Sequence, residues 1–178
     1  DPAAPNLLQL LVGSEGTLLT PALRYQWELV GEWGRTYSDG VSSGGQDDIC
    51  AMALDVLMEY LCPRPTRPRV SFEYLYASGD ADRSSSATST VGGNRAGTTD
   101  GALNAFGFRD TGIAFSPRIS NLSIYILGAS FFPLERLDAF RNMEVGTKLF
   151  FYHKSAASGA ISDTTATSSS VAAENSAS

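Results

Sequence analysis

His153 is the single histidine of the chain, and Lys154 rather than a carboxylate stands beside it. A Ser/His/Asp triad needs an imidazole oriented by a carboxylate and within reach of a nucleophile, and nothing local to His153 supplies either. A zinc centre needs more His and Cys than this chain holds, since its cysteines are Cys50 and Cys62 alone. If one extended strand joins those two they lie roughly 40 Å apart, too far to bond. Asp80-Ala81-Asp82-Arg83-Ser84 places oxygen side chains at alternate positions, as a calcium loop begins. The pattern then fails, with Ser85 where glycine is required and Val91 where a bidentate glutamate belongs. Gly92-Gly93-Asn94 and Gly97 follow no buried strand and open no helix, so they read as turn chemistry rather than a phosphate cradle. These residues predict no enzyme, no metal and no cofactor.

The chemistry with a pattern is charge set against apolar bulk. From Leu23 to Gly34, one parity reads Leu23, Tyr25, Trp27, Leu29, Gly31, Trp33 and the other Arg24, Gln26, Glu28, Val30, Glu32, Gly34. Side chains alternate faces along a strand, so one face is apolar with aromatic ends and the other is charged. Aromatic residues at both ends with leucine between fit the interfacial girdles of a membrane-spanning strand. The polar set then lines a wet interior: Arg24, Gln26, Glu28, Glu32, Asp55, Glu59, Glu73, Glu144 and Lys148. Six carboxylates against two cations predict a cation-tolerant lining.

The same alternation predicts strands near 20–35, 48–62, 69–79, 121–132 and 141–154. The prolines of Pro63-Arg64-Pro65-Thr66-Arg67-Pro68 cannot sit inside a strand and separate two of them. Links 63–69 and 133–140 are short, whereas 36–47, 80–120 and 155–178 are long and rich in Gly, Ser, Thr and Asp. Short turns at one end and long polar loops at the other are the habit of outer-membrane barrels, whose long loops face out of the cell. The leucine doublets of Leu7 to Leu19 fit no single period and predict no element. The fold class expected is all-β, an antiparallel up-and-down transmembrane β-barrel or an open curved sheet representing a fragment of one, as a single partial domain over 1–178. Five strands fall short of the smallest closed barrel of about eight, and the last is left without a return strand, so the chain reads as truncated.

Composition fits this. An apolar share of 43% looks globular, but lumen residues dilute barrel strands to that level. No run reaches the ~18 apolar residues of a membrane helix. Net charge of −6 argues against a nucleic-acid partner. The start at Asp1 has no basic or apolar leader, so an export signal is expected to be removed or to lie upstream.

The run Tyr76-Ala77-Ser78-Gly79-Asp80-Ala81-Asp82-Arg83, with Gly93-Asn94-Arg95, Gly97-Thr98, Phe106-Gly107-Phe108, Thr111-Gly112 and Ser120-Asn121-Leu122, resembles the alginate export family of bacterial outer-membrane β-barrels. The resemblance runs from about Leu18 to Asp163. It implies a porin-like channel of many strands in the bacterial cell outer membrane, with lipid around it and an anionic polysaccharide or another polar solute passing through. Family members that conduct alginate use an arginine-rich constriction, whereas the lining here is mainly acidic. Arg83, Arg95 and Arg109, in or beside the 80–120 connection, are the candidates for a constriction loop that restores positive charge.

The expected function is a passive outer-membrane channel for a polar or charged solute, with polysaccharide export as its family-implied form. The rival is a secreted β-sandwich that binds a glycan through its long loops, with the same alternation turned inward. The two differ in what covers the apolar face.

Overall fold

Strict alternation over long runs leaves the chain no helical register in which to bury a stripe, and it extends instead. The computed structural model of the protein describes residues 6–37, 45–83, 93–103, 111–112 and 118–161. It comprises β1 (Asn6–Leu18), β2 (Thr20–Thr36), β3 (Asp47–Leu61), β4 (Arg69–Ala77), β5 (Leu122–Phe131) and β6 (Val145–Lys154). All pair antiparallel in chain order as one open six-stranded sheet, and no helix occurs among the described residues.

The sheet has six strands where alternation predicts five. The additional one is β1, built from the leucine doublets, which pairs with β2 from Asn6↔Arg35 to Thr17↔Arg24. The doublets put leucine on both faces, which hides the period, and pairing with the long β2 overrides that ambiguity. A tight turn closes the pair through Leu19, whose φ of 63° lies in the left-handed region and whose side chain is 94% exposed. The other strands shift only at their ends. At 141–144, the Met143 amide donates to the Phe140 carbonyl (2.8 Å) and holds a turn where a strand is expected.

Connections do not alternate strictly in length: Leu19 and 62–68 are short and 78–121 is long, but 132–144 is longer than 37–46 because β6 starts only at Val145. At one end of the sheet lie Leu19, 62–68 and 132–144, and the last two are joined where the Phe132 amide donates to the Thr66 carbonyl (2.8 Å). At the other end β2 runs into β3, β4 into β5, and β6 ends, with the described residues 78–83, 93–103, 118–121 and 155–161 near it.

Register keeps the two parities apart across all six strands. One face carries rows such as Val12–Leu29–Leu54–Tyr76 and Tyr25–Met58–Phe72–Leu127–Leu149. This face is open. Leu8, Met52, Val70, Leu127 and Leu149 are all more than two-fifths exposed, and no second layer covers them among the described residues. Burial sits on the opposite, polar face, where Leu75, Leu122, Ile124 and Ile126 pack with Phe150, Tyr152 and Ile161, and Ala51 and Ala77 pack with Leu103 and Ile119. The covering residues Leu103, Ile119 and Ile161 all come from the long-loop end.

Candidate functional site: the polar face of the sheet

Parity and register bring the charged residues together in three rows. Thr17, Arg24, Glu59, Ser71, Gly128 and Lys148 form the row nearest the short connections. Glu15, Gln26, Leu57, Glu73, Ile126 and Phe150 form the next. Gly13, Glu28, Asp55, Leu75, Ile124 and Tyr152 form the third. Arg24 thus faces Glu59 across the β2–β3 ladder, a favourable pairing, while Glu28 faces Asp55, which is unfavourable for two carboxylates unless other groups intervene.

The sequence-expected lining residues share this face, but they do not share one environment. Asp55 is 8% exposed and Glu32 fully buried, with the Gln9 amide nitrogen donating to a Glu32 carboxylate oxygen (2.7 Å). Arg24 and Lys148 are exposed, and Gln26, Glu28, Glu59 and Glu73 are half-buried. Glu144 precedes β6 and accepts from the Arg69 guanidinium at 2.9 Å. Arg69 also lies 3.8 Å from Glu59 and its Nε donates to Ser130 Oγ (3.3 Å). Sequence reading set Arg69 where the 63–69 link meets the 69–79 strand and did not count it in the lining. Its parity with Ser71 and Glu73 is the signal that would have found it.

The long connection folds back onto the far half of the face. Asp100 joins the start of β3 by an isolated parallel bridge to Ile49, with the Cys50 amide donating to the Asp100 carbonyl (2.9 Å) and the Asp100 amide donating to the Asp48 carbonyl (2.8 Å). The Arg83 guanidinium grips the Asp100 carboxylate with two donors, through Nε at 2.9 Å and through Nη2. Both side chains are essentially inaccessible. Arg83, expected in a constriction loop, is thus buried with its charge paired to Asp100. Arg95 is exposed, and Arg109 lies outside the described residues.

Asp80 is likewise structural. Its Oδ1 accepts from the Asp82 amide (2.8 Å) and its Oδ2 from the Gly101 amide (2.6 Å), so the Asp80 carboxylate is engaged by loop backbone. Asn121, at φ 55°, ties the segment after β6 to the sheet. Its Nδ2 donates to the carbonyls of Ala156 (3.0 Å) and Ala160 (3.1 Å), and its Oδ1 accepts from the Ala156 amide (2.6 Å). The Tyr152 hydroxyl reaches up to the Thr111 carbonyl (2.6 Å).

Toward the short connections the face stays open. A hollow of about 560 Å³ is bounded by Arg69, Ser71, Ser130, Glu144, Lys148 and Phe150, with Gly112, Gly128 and Gly146 among its walls. A second, of about 470 Å³, lies at Glu15, Arg24, Gln26 and Glu59. His153 falls on the apolar face opposite Ser123, remote from this chemistry. Comparison with protein-family models, curated proteins and solved structures finds no match to this chain.

Proposed function

We propose that this sheet is part of the wall of an outer-membrane β-barrel, with its apolar face against lipid and its polar face along a watery passage for a polar or charged solute. The observation that carries the reading is the inverted burial. Exposed apolar patches on soluble monomers rarely exceed a few hundred Å², whereas here a mostly apolar face runs across six strands with residues such as Leu8, Leu10, Met52, Val70, Leu149 and Phe151 exposed. A sandwich would lay a second sheet over that face, and none is found among the described residues. The ends of the apolar face also suit a bilayer. Tyr25, Tyr60 and Phe131 mark one side of the band, and Trp33, Tyr76 and the exposed Arg35–Asp48 ion pair (2.9 Å) mark the other.

About eight strands are needed to close a barrel, and β1 and β6 each leave an outer edge unpaired among the described residues. Closure thus calls on further strands. The residues that resemble the alginate export family support a saccharide polymer as cargo, moved passively. The segment after β4 narrows the passage at the long-loop end.

Trp27 and Trp33 are the chain's two tryptophans and both lie on the apolar face. In vesicles of phosphatidylcholine with brominated acyl chains, emission from the full chain should be strongly quenched. Recovery in the aqueous fraction with unquenched emission would overturn the membrane reading and favour a secreted glycan-binding sandwich.

A further inference from the structure

We infer that the hollow beside Phe150 is a binding site for a neutral, hydroxyl-rich saccharide, an inference that rests on the channel reading and names its solute class. Phe150 is an aromatic residue on the polar face, in register with Glu73 and Ile126. It walls the hollow, and Tyr152 lies behind it nearly parallel, 6.1 Å between centroids at 10°. Together they make an apolar, flat strip along β6 leading from the open half toward the infolded loop. A sugar ring offers the matching surface, a C–H face ringed by hydroxyls.

The polar groups around the strip suit hydroxyls better than carboxylates. Arg69 is already engaged by Glu144, Glu59 and Ser130, so its charge is balanced while its fork still holds those acceptors in a fixed array. Ser71, Ser130 and the Arg69–Glu144 pair set donors and acceptors side by side around one cavity, which vicinal hydroxyls can satisfy in both directions. A polyuronate would instead meet Glu144, with Glu59 and Glu73 beside it, against which Lys148 is, among the described residues, the one lining cation besides the engaged Arg69. At Gly128 a β-carbon would collide with Ser71 Oγ, and at Gly146 with Ser130, so the two serine side chains lie close over these glycines at the edge of the hollow. The volume falls within the ~300–1,000 Å³ of small-molecule sites, and an apolar platform with a few convergent polar groups is their usual make-up.

The test is calorimetric titration of the full chain with maltotriose, cellotriose and trigalacturonate, in an amine-oxide detergent that carries no sugar headgroup. At least one neutral trisaccharide should bind saturably and with little dependence on salt. Phe150→Leu, which keeps apolar bulk against Ile126, should weaken that binding about five- to tenfold, and Phe150→Tyr should restore it. Preference for trigalacturonate that fades with salt, absence of saturable neutral binding, or a Phe150→Leu chain that binds like the wild type would each overturn the site. The wild-type preference stands whether or not the variants fold. The site can fail while lipid quenching of Trp27 and Trp33 persists, and quenching can fail while sugar still binds in buffer, so the two readings are separable.

Discussion

Arg83 and Asp100 show how one residue pair decides what the polar face presents. A buried pair gains little over a well-packed apolar pair, but removing one partner strands the other charge, at about 3–5 kcal/mol. Here the stranded group would be Asp100, whose backbone is hydrogen-bonded to β3, and the Arg83 backbone carbonyl also accepts from the Ala160 amide (3.1 Å). Arg83→Met should therefore release the 78–103 segment and the chain after β6 together, while the strand ladders persist. Limited proteolysis should show early cleavage in 78–103 while the β-sheet circular dichroism of the chain is retained. Arg83→Met with Asp100→Leu should be cut more slowly than Arg83→Met alone, because no charge is then left buried. Equal cleavage of wild type and Arg83→Met would mean that the pair does not hold the loop. Neither the pair nor the burial of Glu32 and Asp55 is legible in the sequence, since each depends on contacts between residues distant in the chain, as Arg83 with Asp100 and Gln9 with Glu32. The cation-tolerant lining expected from counting carboxylates changes for that reason. Two of the six are covered, and the accessible charges near the short connections include Arg69, which was not counted.

At the scale of the strand, parity tells more than composition. Leu29 lies opposite Val12 and Leu54 in the middle of the bare face, and Gln26 lies on the polar face between Glu15 and Leu57. If lipid covers the bare face, Leu29→Arg should cost about 2–4 kcal/mol in vesicles, whereas Gln26→Arg should be close to neutral. Urea midpoints of the two variants folded into vesicles measure the contrast. Equal midpoints would remove lipid from the Leu29 side. Sequence alone predicts five of the six strands, β2 to β6, and reads them best where one period is clean, as in β2, β3, β4 and β6. β5 has low contrast because both its faces are apolar, with Ile124 and Ile126 buried under the loop segment and Tyr125 and Leu127 exposed. β1 is missed for a related reason, its doublets reading as no period until β2 supplies the register. Even glycine obeys the faces: a β-carbon at Gly31 would collide with the Trp33 ring, which lies over the bare glycine on the apolar side.

For the whole molecule, the two ends of the sheet differ in chemistry as well as in length. The short-connection end is clasped by Arg67, whose guanidinium lies 3.8 Å from the Phe132 ring centroid and donates to the Arg141 carbonyl (3.1 Å). The long-loop end carries the covering segments, held by Arg83–Asp100, Asn121 and Tyr152–Thr111. In an outer-membrane barrel that asymmetry fixes direction, with short turns toward the periplasm and long loops outside. Ala96 and Asn142 are exposed at opposite ends, Ala96 beside Gly97, whose amide donates to Asp47 Oδ1 (3.0 Å) at the start of β3. In a background carrying Cys50→Ser and Cys62→Ser, Ala96→Cys should react with a membrane-impermeant maleimide on intact cells. Asn142→Cys should react only once the outer membrane is permeabilised. The reverse pattern would invert the orientation while leaving the channel reading intact, because the faces of the sheet, unlike its ends, do not depend on which side the loops emerge. Equal labelling of both positions in a soluble fraction would instead remove the bilayer, and with it the reason for an apolar face this large to stay uncovered.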